Sequence, residues 1–251
     1  MTPSAQDSLF ATGLTPEAYD LPHPRLDPRV ILLVRRVLMA AFALLRQRCQ
    51  DNREPLSMLK EDDITRRLHA IIENDLRQTR TAVPGFDRRT FETVYRQAET
   101  VNYNFKATQK KPDMVFRFLS DDEPPRVISA QNALFVECKP VDSAHPAGSK
   151  YCDDGLNRFV TGDYAWAMQD ALMIAYARDG RTISKHLRPA ISERASLETE
   201  QEVAPVFAAI APADASTELL HASVHRRPFH WCGGKGAACP ITIYHTWHQA
   251  V

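Results

Sequence analysis

The chain has 251 residues, 44% of them hydrophobic and 25% charged, which is enough for one substantial buried core. Its 31 basic residues balance its 31 acidic ones, and a zero net charge argues against tight non-specific binding to nucleic acid, which needs phosphate neutralisation. No apolar stretch reaches the roughly 18–20 residues that span a bilayer, and the first residues lack a signal-peptide pattern. Five cysteines, an odd count without an export signal, point to reduced thiols and a cytoplasmic location.

In chain order, residues 1–26 are Pro-rich and polar and read as an arm or loosely packed leader. Residues 27–251 read as a single domain. Asp27-Pro28 is a helix start, an N-cap followed by Pro at the first helical position, for a helix running to about Cys49. That helix is expected to be an added layer or an oligomer contact. A second helix, about Ser57 to Thr79, carries Ile64, Leu68, Ile71 and Ile72 at helical spacing. Val83–Phe86 marks a turn, and Phe91–Gln97 is either a first strand or a short helix. Strands follow at Asp113–Leu119 and Ala133–Val141, split by a turn at Asp121–Pro125, with a loop from Pro140 to Cys152. A helix is expected from Leu156 or Gly162 to Ala177, ending at Asp179-Gly180. Residues 181–217 should be helical early and looser later. The tail supplies a strand pair, Leu219–His225 and Ile241–Trp247, joined through the Gly-rich stretch Cys232–Cys239. This order predicts an α/β fold, a mixed β-sheet flanked by helices.

The chemistry concentrates in Pro112-Asp113 and Glu137-Cys138-Lys139. Successive side chains of a strand alternate in direction, so Glu137 and Lys139 share one face while Leu134, Val136 and Cys138 enter a core on the other. Mg²⁺ prefers oxygen ligands, keeps several waters, and is held by one or two carboxylates. Asp113 and Glu137 supply those carboxylates, and the carbonyl of Cys138 is a third oxygen. Lys139 is then placed to orient or deprotonate an attacking water or to stabilise a pentacovalent phosphate. The plain alternative is a strand-end ion pair among Asp113, Glu137 and Lys139.

These residues resemble the PD-(D/E)xK nuclease superfamily, whose fold is restriction-endonuclease-like; the resemblance covers about residues 56–180. It implies hydrolysis of the phosphodiester bonds of nucleic acid with Mg²⁺ or Mn²⁺, without identifying the substrate; an endonuclease acting on DNA is the expectation. It also implies an acidic residue on the helix before the first motif strand. Glu61 lies three residues before Ile64, on or near the same face, and is the best candidate, with Asp62 and Asp63 as rivals. End-processing exonucleases of this superfamily resemble a pattern with Gln and Tyr four apart on the helix after the lysine. Gln169 and Tyr176 are seven apart, which favours a stand-alone endonuclease of restriction or anti-phage defence type, alone or with a partner subunit. Cutting both strands needs two sites, hence an expected homodimer. The competing class is a non-catalytic nucleic-acid-binding or assembly subunit on the same fold.

Other signals carry less. Arg66-Arg67, Arg88-Arg89, Lys110-Lys111 and Arg226-Arg227 read as solvated surface, although Lys110-Lys111 adjoins the motif. Cys232-x6-Cys239-x5-His245-x2-His248 has zinc-ligand types without a finger spacing, and strand alternation puts His245 and His248 on opposite sides. It reads as a Gly-rich hairpin. Tyr151, Asp153, Asp154 and Arg158 follow the lysine strand and are available for substrate or subunit contacts, with no role assigned.

Overall fold

The computed structural model describes residues 19–79, 82–119, 128–207 and 220–250. The first 18 residues of the arm, the expected turn at Asp121–Pro125 and the end of the polar 181–217 stretch lie outside the described residues. The described part of the leader is packed: His23 is buried, its backbone N–H donates to the Ala167 carbonyl at 2.9 Å, and Leu26 N–H donates to Asp170 Oδ2 at 3.0 Å.

One mixed sheet of seven strands organises the described residues. The strands are β1 (Phe91–Arg96), β2 (Met114–Phe118), β3 (Ala133–Val141), β4 (Asp170–Ala177), β5 (Thr199–Pro205), β6 (His221–His225) and β7 (Ile241–Gln249). Their spatial order is β1-β2-β3-β4-β7-β6-β5. The three central strands, β3, β4 and β7, run parallel, and every outer pairing is antiparallel.

Helices cover both faces. On one side lies α1 (Pro28–Asp51), capped by Asp27, whose carboxylate accepts the Arg29 N–H at 2.8 Å. Val34, Val37, Leu38, Ala41 and Phe42 bury completely against Leu134, Val136, Ile174 and Tyr176, so α1 is a layer of this domain. The expected second helix is broken into a short turn at Leu56–Met58, α2 (Glu61–Ala70) and a wider π-type turn at Ile71–Leu76. The opposite face carries helical chain from Ala147, ending in α3 (Asn157–Val160), and from Ile183, ending in α4 (Arg188–Ser192). These pack on Phe135, Val141, Met173, Ala175 and Ile243.

Four expectations need correction. The helix expected up to Ala177 stops at Val160, and Asp170–Ala177 is a central strand. Ala, Leu and Met favour helices, but a strand buried on both faces has no polar alternation to reveal it. Here Leu172, Ile174 and Tyr176 enter one core while Met173, Ala175 and Ala177 enter the other. Gly162 at φ 76° and Ala165 at φ 47° also break the helical path. Gln169 therefore precedes β4 and Tyr176 lies within it, so the two share no helix and their spacing does not separate endonuclease from exonuclease. The Pro140–Cys152 loop is short, because β3 continues through Val141 and helical chain resumes at Ala147. The turn between them is held by the Asp142 carboxylate, which accepts Ala144 N–H at 2.9 Å and His145 N–H at 2.8 Å. Finally, the polar segment 181–217 contains β5, an exposed edge strand whose side chains give no apolar alternation.

Candidate functional site

Strand register brings the two motif carboxylates together. Met114 pairs with Val136 in the antiparallel β2–β3 ladder, so Asp113, one residue earlier, lies opposite Glu137. The Cys138 N–H donates to Asp113 Oδ2 at 2.7 Å and fixes that carboxylate beside β3. Glu137 and Lys139 share the face covered by the Ala147–Val160 layer, whereas the Cys138 side chain enters the core beneath α1 and α2. Burial pushes the Cys138 thiol well above its ordinary range, so it is no nucleophile.

Lys139 is the hub. Its Nζ donates to Glu137 Oε1 at 2.8 Å, to the Cys138 carbonyl at 2.9 Å and to Glu61 Oε1 at 3.3 Å, and lies 3.9 Å from Asp113 Oδ2. Glu61 arrives from the first turn of α2, where the helix dipole favours acidic residues. The other two acids of that turn are engaged elsewhere: Asp62 pairs with Arg96 and accepts from Gln97, and Asp63 pairs with Arg66. Glu61 alone reaches the cluster.

Two residues without an assigned role complete the site. Gly155 lies against Lys139: a Cβ there would meet Met173 Cε at 2.7 Å and Lys139 Cγ at 3.3 Å. Arg158, one helical turn on, places Nη1 at 3.3 Å from Glu137 Oε1 and donates to the Tyr164 hydroxyl at 2.7 Å. Their i, i+3 spacing is the one signal in the sequence that could have found them together.

Three carboxylates facing two cations make the site hold its protons. Burial and the Asp113 charge raise Glu137 to about 7, against the pull of Lys139 and Arg158. Burial likewise raises Asp113 and Glu61. Burial alone would lower Lys139, but Glu137, Asp113 and Glu61 outweigh it and hold the ammonium above its ordinary range.

Among the described residues, no group of three or more His, Cys, Asp or Glu side chains is gathered so as to hold a metal ion. A hard divalent cation does not need three, and the donors here suit one. Asp113, Glu137 and the Cys138 carbonyl all surround the point where Lys139 Nζ sits, and Glu137 Oε2 is buried with no hydrogen-bond partner.

The tail's Cys and His residues are dispersed. His248 stacks on Phe42, at 3.9 Å between centroids, on the α1 side. His245 lies on the other side, bonded to Ser223 and Tyr151. Cys239 accepts from Arg227, and Cys232 donates to the Tyr103 carbonyl. Of the basic pairs, Lys110 is bound to Asp163 at 2.7 Å and Lys111 to Glu99 at 3.0 Å. No helix among the described residues is long and apolar enough to cross a membrane.

Comparison with protein-family models, curated proteins and solved structures finds no match to this chain.

Proposed function

We propose that the chain is a metal-dependent phosphodiesterase of nucleic acid on a restriction-endonuclease-like core, with the endonuclease mode and the DNA substrate resting on the motif resemblance. The observation that carries this reading is the convergence of Asp113, Glu137 and Glu61, from three separate elements, on the ammonium of Lys139. An incidental surface ion pair would not bury Glu137 and Lys139 to 2% and 10% side-chain exposure, because unpaired desolvation of charge is expensive.

Asp113, Glu137 and the Cys138 carbonyl would hold Mg²⁺ or Mn²⁺. Such an ion would supply charge neutralisation at the phosphate and a more acidic water. The protein's own groups do the rest. The Cys138 N–H keeps Asp113 aimed at the site. Lys139, held protonated, acts as a positive charge toward charge developing on phosphorus oxygens, not as a base. Glu61 and Glu137 orient that ammonium. Two copies would be needed to cut both strands, and a role in restriction or defence rests on the motif resemblance.

The test is cleavage of supercoiled plasmid, linear duplex, single-stranded DNA and RNA with Mg²⁺, Mn²⁺ or EDTA. Wild type is compared with Glu137→Ala and Lys139→Ala. Metal-dependent cutting abolished by both substitutions supports the reading and identifies the nucleic acid. A folded wild type that cuts nothing under any metal rejects it in favour of a non-catalytic binding subunit.

A further inference from the structure

We propose that Arg158 grips the non-bridging oxygens of the scissile phosphate and that Tyr164 sets its position. This rests on the phosphodiesterase reading and adds the residue that receives the substrate.

Among the described residues, Arg158 is tethered at one nitrogen only. Its Nη1 meets both Glu137 Oε1, at 3.3 Å, and the Tyr164 hydroxyl, at 2.7 Å. That hydroxyl spends its own proton on the Lys111 carbonyl at 3.0 Å, so its oxygen can only accept from the guanidinium. The guanidinium carbon also lies 5.7 Å from the centre of the Tyr164 ring, within cation–π range. Among the described residues, Nε and Nη2 have no protein partner, and the side chain is 41% exposed. The result is a guanidinium fork fixed at its inner corner and open on its outer side.

Charge selects the ligand. Lys139 is already engaged by three carboxylates and a carbonyl. Arg158 is the cation of the cluster with donors to spare. Its planar fork matches two oxygens of a phosphate, which a lysine at the same place could not engage together. In the hydrolysis, water oxygen bonds to phosphorus, the bond from phosphorus to the leaving sugar oxygen breaks, and that oxygen takes up a proton. Arg158 remains protonated throughout and acts on the charge of the phosphoryl oxygens. A merely structural Arg158 would instead serve to neutralise Glu137.

The experiment uses the full chain with Arg158→Lys, Arg158→Ala and Tyr164→Phe, each checked by thermal melting. Binding of a fluorescent short duplex in Ca²⁺ is followed against salt, and cleavage is followed in Mg²⁺. Arg158→Lys keeps a cation beside Glu137, so a structural role predicts wild-type kcat. The proposal predicts instead a kcat about 10²-fold lower with KM nearly unchanged, partial rescue of Arg158→Ala by free guanidinium, and a smaller loss in Tyr164→Phe. Wild-type kcat in Arg158→Lys, or a folded Arg158→Ala that guanidinium cannot rescue, overturns it while leaving the nuclease reading intact. If wild type cuts no nucleic acid, the nuclease reading fails and binding decides. A salt dependence in Arg158→Ala shallower by about one phosphate contact supports the grip, and an unchanged slope overturns it.

Discussion

Gly155 and Lys139 touch across the site: a Cβ on Gly155 would sit 3.3 Å from Lys139 Cγ. The lysine stem passes the helical layer at a point where that layer has no side chain. Gly155→Ala should therefore reposition Lys139 without changing any charge. We expect an overpacking cost of about 1–3 kcal/mol, read by denaturant unfolding, and a cleavage rate lowered by up to about 10²-fold. A wild-type rate in a folded variant would show that the lysine tolerates displacement.

Lys139 Nζ is bonded to the Glu137 carboxylate and the Cys138 carbonyl, two of the groups that would hold a divalent cation. Lys139→Met removes this internal competitor and should tighten Mg²⁺ or Mn²⁺ binding by calorimetry while abolishing cleavage. The metal-free variant should be destabilised by about 3–5 kcal/mol, since buried carboxylates lose their partner. Asp113→Asn should weaken metal binding instead. Weaker binding in both variants would assign Lys139 a supporting rather than a competing part.

Cation binding should depend on pH through Glu137. Its carboxyl titrates at about 7 when folded, above its ordinary 4.5. Below about 7 a bound cation must displace a proton, so affinity rises with pH between about 5 and 8 and binding releases protons. Calorimetry in buffers of different ionisation enthalpy measures that release. The same raised value makes the metal-free protein lose stability as pH rises from 4.5 through 7, because the unfolded chain ionises first. A pH-independent affinity would contradict the assignment.

Acid should destabilise the fold through its buried histidines. Burial lowers His23 and His225 to about 4, His248 to about 3, and His245 well below its ordinary 6.5. The unfolded chain therefore binds more protons below 6.5, and stability falls as pH drops from 6.5 toward 4. Each lowered histidine contributes on the order of 3 kcal/mol by pH 4. His248→Phe should reduce the steepness of chemical denaturation midpoint against pH by about one proton.

A buried relay on the face of the sheet that also carries Glu137 and Lys139 offers a stability test. His225 Nδ1 donates to the Leu197 carbonyl at 2.8 Å, so its Nε2 accepts from Ser223 at 2.7 Å. Ser223 Oγ then accepts from His245 Nε2 at 2.8 Å, and His245 Nδ1 accepts from Tyr151 at 3.0 Å. Ser223→Ala strands two buried imidazole nitrogens and should cost about 1–3 kcal/mol for each group left unsatisfied. A loss below about 0.5 kcal/mol would mean that the chain repacks around the gap.

Local rules made much of this molecule legible. Asp27-Pro28 announced the start of α1, period-2 alternation separated Glu137 and Lys139 from Cys138, and the same alternation put His245 and His248 on opposite faces. The candidate site was legible in Asp113, Glu137 and Lys139 because residues in or beside a strand have a fixed parity. The central strand β4 was not, because a run buried on both faces carries no polar period and reads as helix.

What the sequence by itself determined was the set of charged groups and the strand faces they occupy, since these follow from backbone geometry within a few residues. What only the tertiary structure decided was convergence. The register that sets Asp113 against Glu137, the choice of Glu61 over Asp62 and Asp63, and the arrival of Gly155 at Lys139 and of Arg158 at Glu137 all join residues from separate elements. Such contacts are fixed by how whole layers pack their apolar faces, and no local pattern of residues encodes them.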